Sequence, residues 1–286
     1  MVKKWIIVGL TLALSLFLLA GCGAGPAEEE SAADNGAPAA QAEVVPAKNA
    51  EEAVIQAVLE RAKQFGEGEC SAEGHVILKE TEENGQQVVY ALCSTGNYGF
   101  VNGNLEEIAG SGAIPSKLTF TVDEDGVWNL EEYWEPEDGS GYTKSIEAAF
   151  PSELVSAALN ANTAYRDLKI QKEAYAKGYL REIGREAEVG DYADFEHLLA
   201  TDQGMSVEAS NYLLGEAENY PYFIGTEERI EDGVRWVYET AWEQTEDCGI
   251  ATYTKTNYET GEVAEKMIYR VEGDKVTKIE EEETLE

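Results

Sequence analysis

Between residues 49 and 66 the apolar positions Val54, Ile55, Val58, Leu59, Ala62 and Phe65 recur at helical spacing and form one face. Asn49 is a natural N-cap, Glu52 stands three residues on as in a capping box, and Gly66 is placed to end the helix. The period then drops to two. His75 to Thr81 reads as a strand, Glu83-Asn84-Gly85 as a hairpin turn, and Gln86 to Ser94 as the return strand. The Gly/Asn-rich stretch Gly96 to Asn104 reads as a loop. Lys117 to Val122 and Val127 to Trp134 read as strands joined at Asp123-Glu124-Asp125-Gly126, and Glu135 to Gly139 closes this part.

A helical middle follows, with a short helix from Pro151 to about Leu159. In a longer one Tyr165, Leu168, Lys172, Tyr175, Tyr179 and Ile183 share a face. The lysine in that apolar row is expected to snorkel. Shorter helical segments are predicted at Asp194 to Leu199 and after Ser206. Strands then return at Phe223 to Ile230, Val234 to Glu243, Ile250 to Tyr258, Glu265 to Val271 and Lys275 to Glu281. Val234-Arg235-Trp236-Val237-Tyr238 corresponds to Gln86-Gln87-Val88-Val89-Tyr90. The pattern predicts an α+β fold of two related modules, 49–150 and 191–286. Each is a helix packed on an antiparallel β-meander, and a helical connector, 151–190, joins them.

Ahead of the first helix, Lys3 and Lys4 precede an apolar run from Trp5 to Ala20, too short for a spanning helix of about 20 residues. It ends in Leu19-Ala20-Gly21-Cys22, which resembles the lipobox of bacterial lipoproteins. The resemblance implies a signal peptide, 1–21, cleaved before Cys22, and lipidation of Cys22 by chains such as palmitate. Two or more chains anchor stably where one is marginal. Residues 22–48 are rich in Ala, Gly, Glu and Pro and carry no aromatic residue. They are expected to be a disordered tether between lipid and body.

Composition narrows the partners. The chain has 286 residues, with 21 basic against 56 acidic and a formal net charge of −35. This excess disfavours nucleic acid and anionic lipid headgroups as partners. The expected contact with the membrane is therefore the N-terminal lipid. Beyond Cys22 the cysteines are Cys70, Cys93 and Cys248, an odd number, and Cys70 with Cys93 is the candidate disulfide. No CxxC spacing occurs and only His75 and His197 supply imidazole, so no metal site or cofactor is expected. Each histidine reads as a structural residue. The one Ser/Thr-x-x-Lys, Thr252 to Lys255, falls on a predicted strand, where its ends point to opposite faces. An EF-hand-like spacing at Asp123, Asp125, Gly126 and Glu132 has Thr121 in first place and reads instead as a hairpin. Trp128 reads as core packing. Tyr98, Phe100, Tyr133, Trp134 and Tyr142 are the candidate binding surface, if their segments expose them.

Three stretches, Gly96-Asn97-Tyr98-Gly99-Phe100, Gly110 to Pro115 and Tyr133 to Gly139, carry a family resemblance over residues 50–190. The region resembles extracytoplasmic segments of uncharacterised lipoproteins from Gram-positive bacteria. It is also similar to segments appended to BlaR1-type membrane metallopeptidase sensors, whose His-Glu-x-x-His motif is absent here. No catalytic residues follow from the resemblance. The sequence leads to a non-enzymatic, lipid-anchored protein on the outer face of the cytoplasmic membrane. It would bind a ligand or another envelope or membrane sensor protein, as a binding or accessory sensor module. The alternatives are a cell-envelope hydrolase using paired carboxylates and a divalent-cation-binding surface protein.

Overall fold

The computed structural model describes residues 45–66 and 68–283. The expected signal peptide, Cys22 and the tether up to residue 44 lie outside the described residues. Residues 45–48, expected to belong to the tether, are docked on the body. Ala47 is buried, its carbonyl accepts from the Trp128 N–H at 2.9 Å, and Lys48 Nζ donates to the Asp125 carbonyl at 2.8 Å.

Helix α1 (Ala50–Ala62) starts where its caps dictate. The Asn49 side chain accepts from the Glu52 N–H at 2.9 Å, and Glu52 reaches back to the Lys48 N–H at 2.8 Å. Five strands follow: β1 (Cys70–Glu83), β2 (Gln86–Val101), β3 (Asn104–Gly110), β4 (Ile114–Val122) and β5 (Trp128–Trp134). The middle holds α2 (Tyr142–Ala149), α3 (Val155–Leu159), α4 (Tyr165–Glu182) and the short strand β6 (Val189–Asp191). Helix α5 (Val207–Glu216) leads into β7 (Gly225–Glu231), β8 (Val234–Gln244), β9 (Gly249–Asn257), β10 (Val263–Glu272) and β11 (Lys275–Glu283). The result is an α+β body around one large sheet, antiparallel except where β3 and β6 run parallel. All the described residues fall in one compact unit.

Strand β2 is the hub. It pairs with β1, β3, β4 and β7, and every residue from Val88 to Val101 is buried. Side chains alternate between two covered faces. Val89, Ala91 and Cys93 pack with Leu118 and Phe120 under α1. Val88 and Tyr90 pack with Ile146, Phe150 and Ala158 of the α2–α3 segment. Tyr98 and Phe100 pack with Ala72, Leu105 and the α4 residues Ala176 and Leu180. Helix α4 crosses β1 at Gly74, where a Cβ would stand 2.6 Å from the Leu168 carbonyl oxygen. Strands β7 to β11 form a meander with one core face, in which Tyr238, Ala251, Tyr253, Met267, Tyr269 and Val271 meet Ala209 and Leu213 of α5.

Several expectations are corrected. The expected loop at Gly96 to Asn104 is the end of β2 plus a tight hairpin, because Asn102-Gly103 takes the same positive-φ pair as Asn84-Gly85 and Asp232-Gly233. The helical segment expected at Asp194 to Leu199 is only a single 3-10 turn at Tyr192–Asp194 followed by irregular chain. Lys172 does not snorkel: its side chain is 2% exposed and ion-paired to Glu107. Cys70 and Cys93 form no disulfide. Cys70 faces Tyr98 whereas Cys93 faces His75, five residues further along β1. That is about 17 Å of strand, against a Cα separation of about 4.4–6.8 Å for a bridge. Both thiols are pushed up to about 12, chiefly by burial.

Candidate functional site

The five aromatics of the expected binding surface do not share a surface. Tyr98 and Phe100 are fully buried beneath α4, because their segment is central strand and not loop. Tyr133 packs on the α1 core, while Trp134 and Tyr142 pack on the α2–α3 core. Strand alternation sends consecutive aromatics to opposite faces of the sheet.

Phe100 does lie at a site, from beneath. β7 joins β2 at a single rung, Val101 opposite Glu227, reinforced by the Asn102 N–H on the Thr226 carbonyl at 2.9 Å and by Asn102 Oδ1 accepting from the Thr226 N–H at 2.8 Å. Beyond that rung the strands part. β2 turns to β1, whose leading residue Glu69 donates its N–H to the Tyr98 carbonyl at 2.7 Å. A cavity of about 360 Å³ opens in the gap. Its lining includes Gly68, Gly99, Phe100, Ile108 and the β7 residues Glu227 to Glu231. Gly99 keeps it open, since a Cβ there would come within 2.8 Å of the Ile108 side chain.

The wall towards α4 is an ion network. The Arg185 guanidinium lies 3.6 Å from the centroid of the Phe100 ring and holds both Glu228 carboxylate oxygens, at 2.7 and 2.9 Å. Arg235 bridges Glu228 at 2.8 Å and Glu69 at 2.5 and 2.9 Å, and the Tyr179 hydroxyl donates to Glu69 at 2.5 Å. The Tyr258 ring lies against both guanidiniums, 5.0 and 5.7 Å from centroid to carbon. Burial opposes the charge on Glu228, but the two arginines outweigh it and hold the carboxyl below its usual range. These planar bidentate contacts fix the wall before anything binds. The opposite wall is looser. Arg229 pairs with Glu227 at 2.9 Å, and Glu231 receives Lys255 at 2.6 Å and the Tyr238 hydroxyl at 2.5 Å.

Next to the seam sits a buried carboxylate. Glu106 faces Gly99 across the β2–β3 ladder and is 0% exposed. One oxygen takes His197 Nε2 at 2.8 Å, and the other has no hydrogen-bond partner among the described residues. Burial raises its pKa, and Glu227 adds to the rise against His197 and Asn104. The His197 ring stacks on Tyr192 at 3.6 Å and meets Phe223 edge-on. His75 is held likewise, by buried Glu73 at 2.8 Å and Glu51 at 3.3 Å, with Tyr175 on the second Glu73 oxygen.

The Asp123 carboxylate of the EF-hand-like spacing accepts from the Asp125 and Val127 N–H groups and so caps its own turn. Among the described residues no group of three or more His, Cys, Asp or Glu could hold a metal ion, and no helix is long and apolar enough to cross a membrane. Sequence reasoning missed the seam residues Glu69, Arg185, Glu228 and Arg235. The one signal was an arginine amid the apolar strand Val234 to Tyr238, a position that demands a partner. Compared with protein-family models, curated proteins and solved structures, the chain matches none.

Proposed function

We propose that this protein is a lipid-anchored binding module on the outer face of the cytoplasmic membrane, without enzymatic activity of its own. Its body serves as an accessory to an envelope or membrane sensor, engaging a ligand or partner protein at the seam between β2 and β7. The cavity there carries the reading. It is concave, partly apolar, and walled on one side by side chains already fixed by ion pairs, which are the features of a preformed binding site. The lipobox-like Leu19-Ala20-Gly21-Cys22 supports the anchor, and the acidic excess keeps the body off anionic headgroups.

We also infer that the sheet descends from two related hairpins. In both, a tyrosine on the return strand donates to the glutamate before the turn: Tyr90 to Glu83 at 3.1 Å and Tyr238 to Glu231 at 2.5 Å.

Two measurements test the proposal. Labelled fatty acid should enter the protein in cells, and Cys22→Ala should abolish both labelling and membrane fractionation. A photo-crosslinking residue in place of Ile230, a cavity residue 55% exposed, should give one discrete adduct in the anchored protein. The same residue in place of Ile279, equally exposed on β11, should give none. Identical products from both positions, or none from either, would overturn the binding role.

A further inference from the structure

The seam is more than a hollow: it contains an unpaired strand edge. On one side β7 pairs with β8 along its whole length, from Gly225 to Glu231. On the other it meets β2 only at Glu227, and no strand among the described residues pairs with that edge from Glu228 to Glu231. Those four residues are about 13 Å of backbone, and they line the cavity together with Gly68 and Glu69 of the β1 lead-in.

Unpaired edges are normally blunted, and those of β1, β11 and β5 are. Where α4 crosses β1, the Gln171 side-chain amide takes the place of a strand. Its oxygen accepts from the His75 N–H and its nitrogen donates to the His75 carbonyl, both at 3.1 Å. β11 carries a register shift opposite Ile268 and Tyr269, and Lys275, Lys278, Glu280 and Glu281 along its length. β5 carries a register shift with Glu131 and Glu132 beside it. The β7 edge also carries charges, Glu227, Glu228, Arg229 and Glu231, but it has no register shift, no side chain among the described residues takes its backbone groups from Glu228 to Glu231, and it opens onto the cavity.

Resting on the reading of the seam as a binding site, we propose that its ligand is an extended, cationic peptide segment of another protein, which adds to the β7 edge as a strand. The backbone groups of Glu228 and Ile230, which face away from β8, supply the pairing, and alternate side chains of the added strand meet Ile108 on one face and Ile230 on the other. Charge selects this occupant. The lining has four acids, Glu69, Glu227, Glu228 and Glu231, against one base, Arg229. Arg229 pairs with Glu227, and Arg185, Arg235 and Lys255 neutralise the other three acids from outside the lining, so the selection comes from the long-range field of a chain whose net charge is −35. The chain's own residues 23–44 carry five acids and no base, and a second copy brings the same net charge, so both are repelled.

The probes are a synthetic hexapeptide of alternating Lys and Val, its Glu/Val counterpart, and the Lys/Val peptide N-methylated at its four central amides. N-methylation removes the strand donors and leaves the charge. Titration with the full chain should show saturable binding of the Lys/Val peptide, at least tenfold tighter than either control. Hydrogen exchange should show new protection confined to the β7 segment 227–231 and the lead-in at 68–69. Ile230→Pro, which takes a donor from the exposed edge, should weaken binding at least tenfold. Should that variant unfold, the N-methylated peptide carries the same test on the unaltered protein. No saturable binding of the Lys/Val peptide, or equal binding of its N-methylated form, overturns the proposal. An Ile230 photo-adduct found alongside such a failure would leave the seam a binding site but not a strand slot.

Discussion

The two halves of the sheet are built on different principles. In the half centred on β2 both faces are covered, α1 lying over one and α2 to α4 over the other, and charged groups are taken inside in pairs. Lys172 meets Glu107 at 2.7 Å, His75 meets Glu73 at 2.8 Å and His197 meets Glu106 at 2.8 Å. In the half made of β7 to β11 one face packs on α5 around Tyr220, Tyr238, Tyr253 and Tyr269. The other, with Val237, Thr252, Thr254 and Ile268, stays half-exposed. Even the two hairpins with a tyrosine–glutamate bond differ: α1 covers the face of Val89, whereas α5 covers the face of Tyr238, which stands at the same distance from its turn as Tyr90, the residue after Val89. The difference places the rigid half beside a thinner one, with the cavity where they meet. Opening free energies should follow the same division, highest in β2 and lower in the meander.

The largest expected effect breaks a buried pair. Lys172→Met leaves Glu107 charged and unpaired, and should cost about 3–5 kcal/mol in urea unfolding. Adding Glu107→Leu should recover much of that loss, since a buried pair replaced by apolar residues is often neutral. A double mutant no more stable than the single would show that the pair is not what Lys172 serves. Leu118→Ala, beneath α1, should cost about 2–5 kcal/mol by leaving a cavity in a face already closed.

The pH response separates the halves on a smaller scale. Burial opposes charge on His75, but Glu73 and Glu51 outweigh it and raise the imidazole above 6.5. Such a group stabilises fully below the unfolded pKa and loses its contribution as pH rises through the folded one. Burial likewise raises the Glu107 carboxyl against its bonds from Lys172, so it changes stability in the same direction, above 4.5. In β7 the sign reverses. Burial opposes charge on Glu228 and Glu231 too, yet their cations hold them low, so their contribution is present above about 4.5 and lost on acidification. Hydrogen exchange at pH 8 and pH 6 should show β1–β2 protection rising towards pH 6. His75→Gln should remove most of that rise. An unchanged profile in the variant would contradict the assignment to His75.

The smallest effect concerns what the halves share. Tyr90→Phe and Tyr238→Phe each remove one hydroxyl bond to the glutamate before the turn. Each should cost about 1 kcal/mol, and by similar amounts if the hairpins are related. A large cost at one site alone would sharpen the contrast between the halves and weaken the kinship.

Local signals carried most of the fold. Asn84-Gly85 and Asp232-Gly233 announce their turns because few residues accept positive φ, and the Asn49 cap starts α1 where its side chain says. Asn102-Gly103 carries the same signal but hides in a glycine-rich stretch, which drew Tyr98 and Phe100 into a loop. The site was less legible because its partners are remote. Glu69 and Arg235 stand 166 positions apart, and Glu107 and Lys172 stand 65 apart. Adjacent Glu106 and Glu107 look like a solvated pair until strand alternation sends them to opposite faces, each to a cation or imidazole from elsewhere in the chain.

The central claim is that the seam receives a binding partner at the membrane. Amide exchange at 227–231 compares the protein anchored in its own membranes with the purified Cys22→Ala body. Protection of this segment should be at least tenfold greater in the anchored state, while that of β9 and β10 is unchanged. Equal exchange in both states, with the anchored protein intact, would contradict the account.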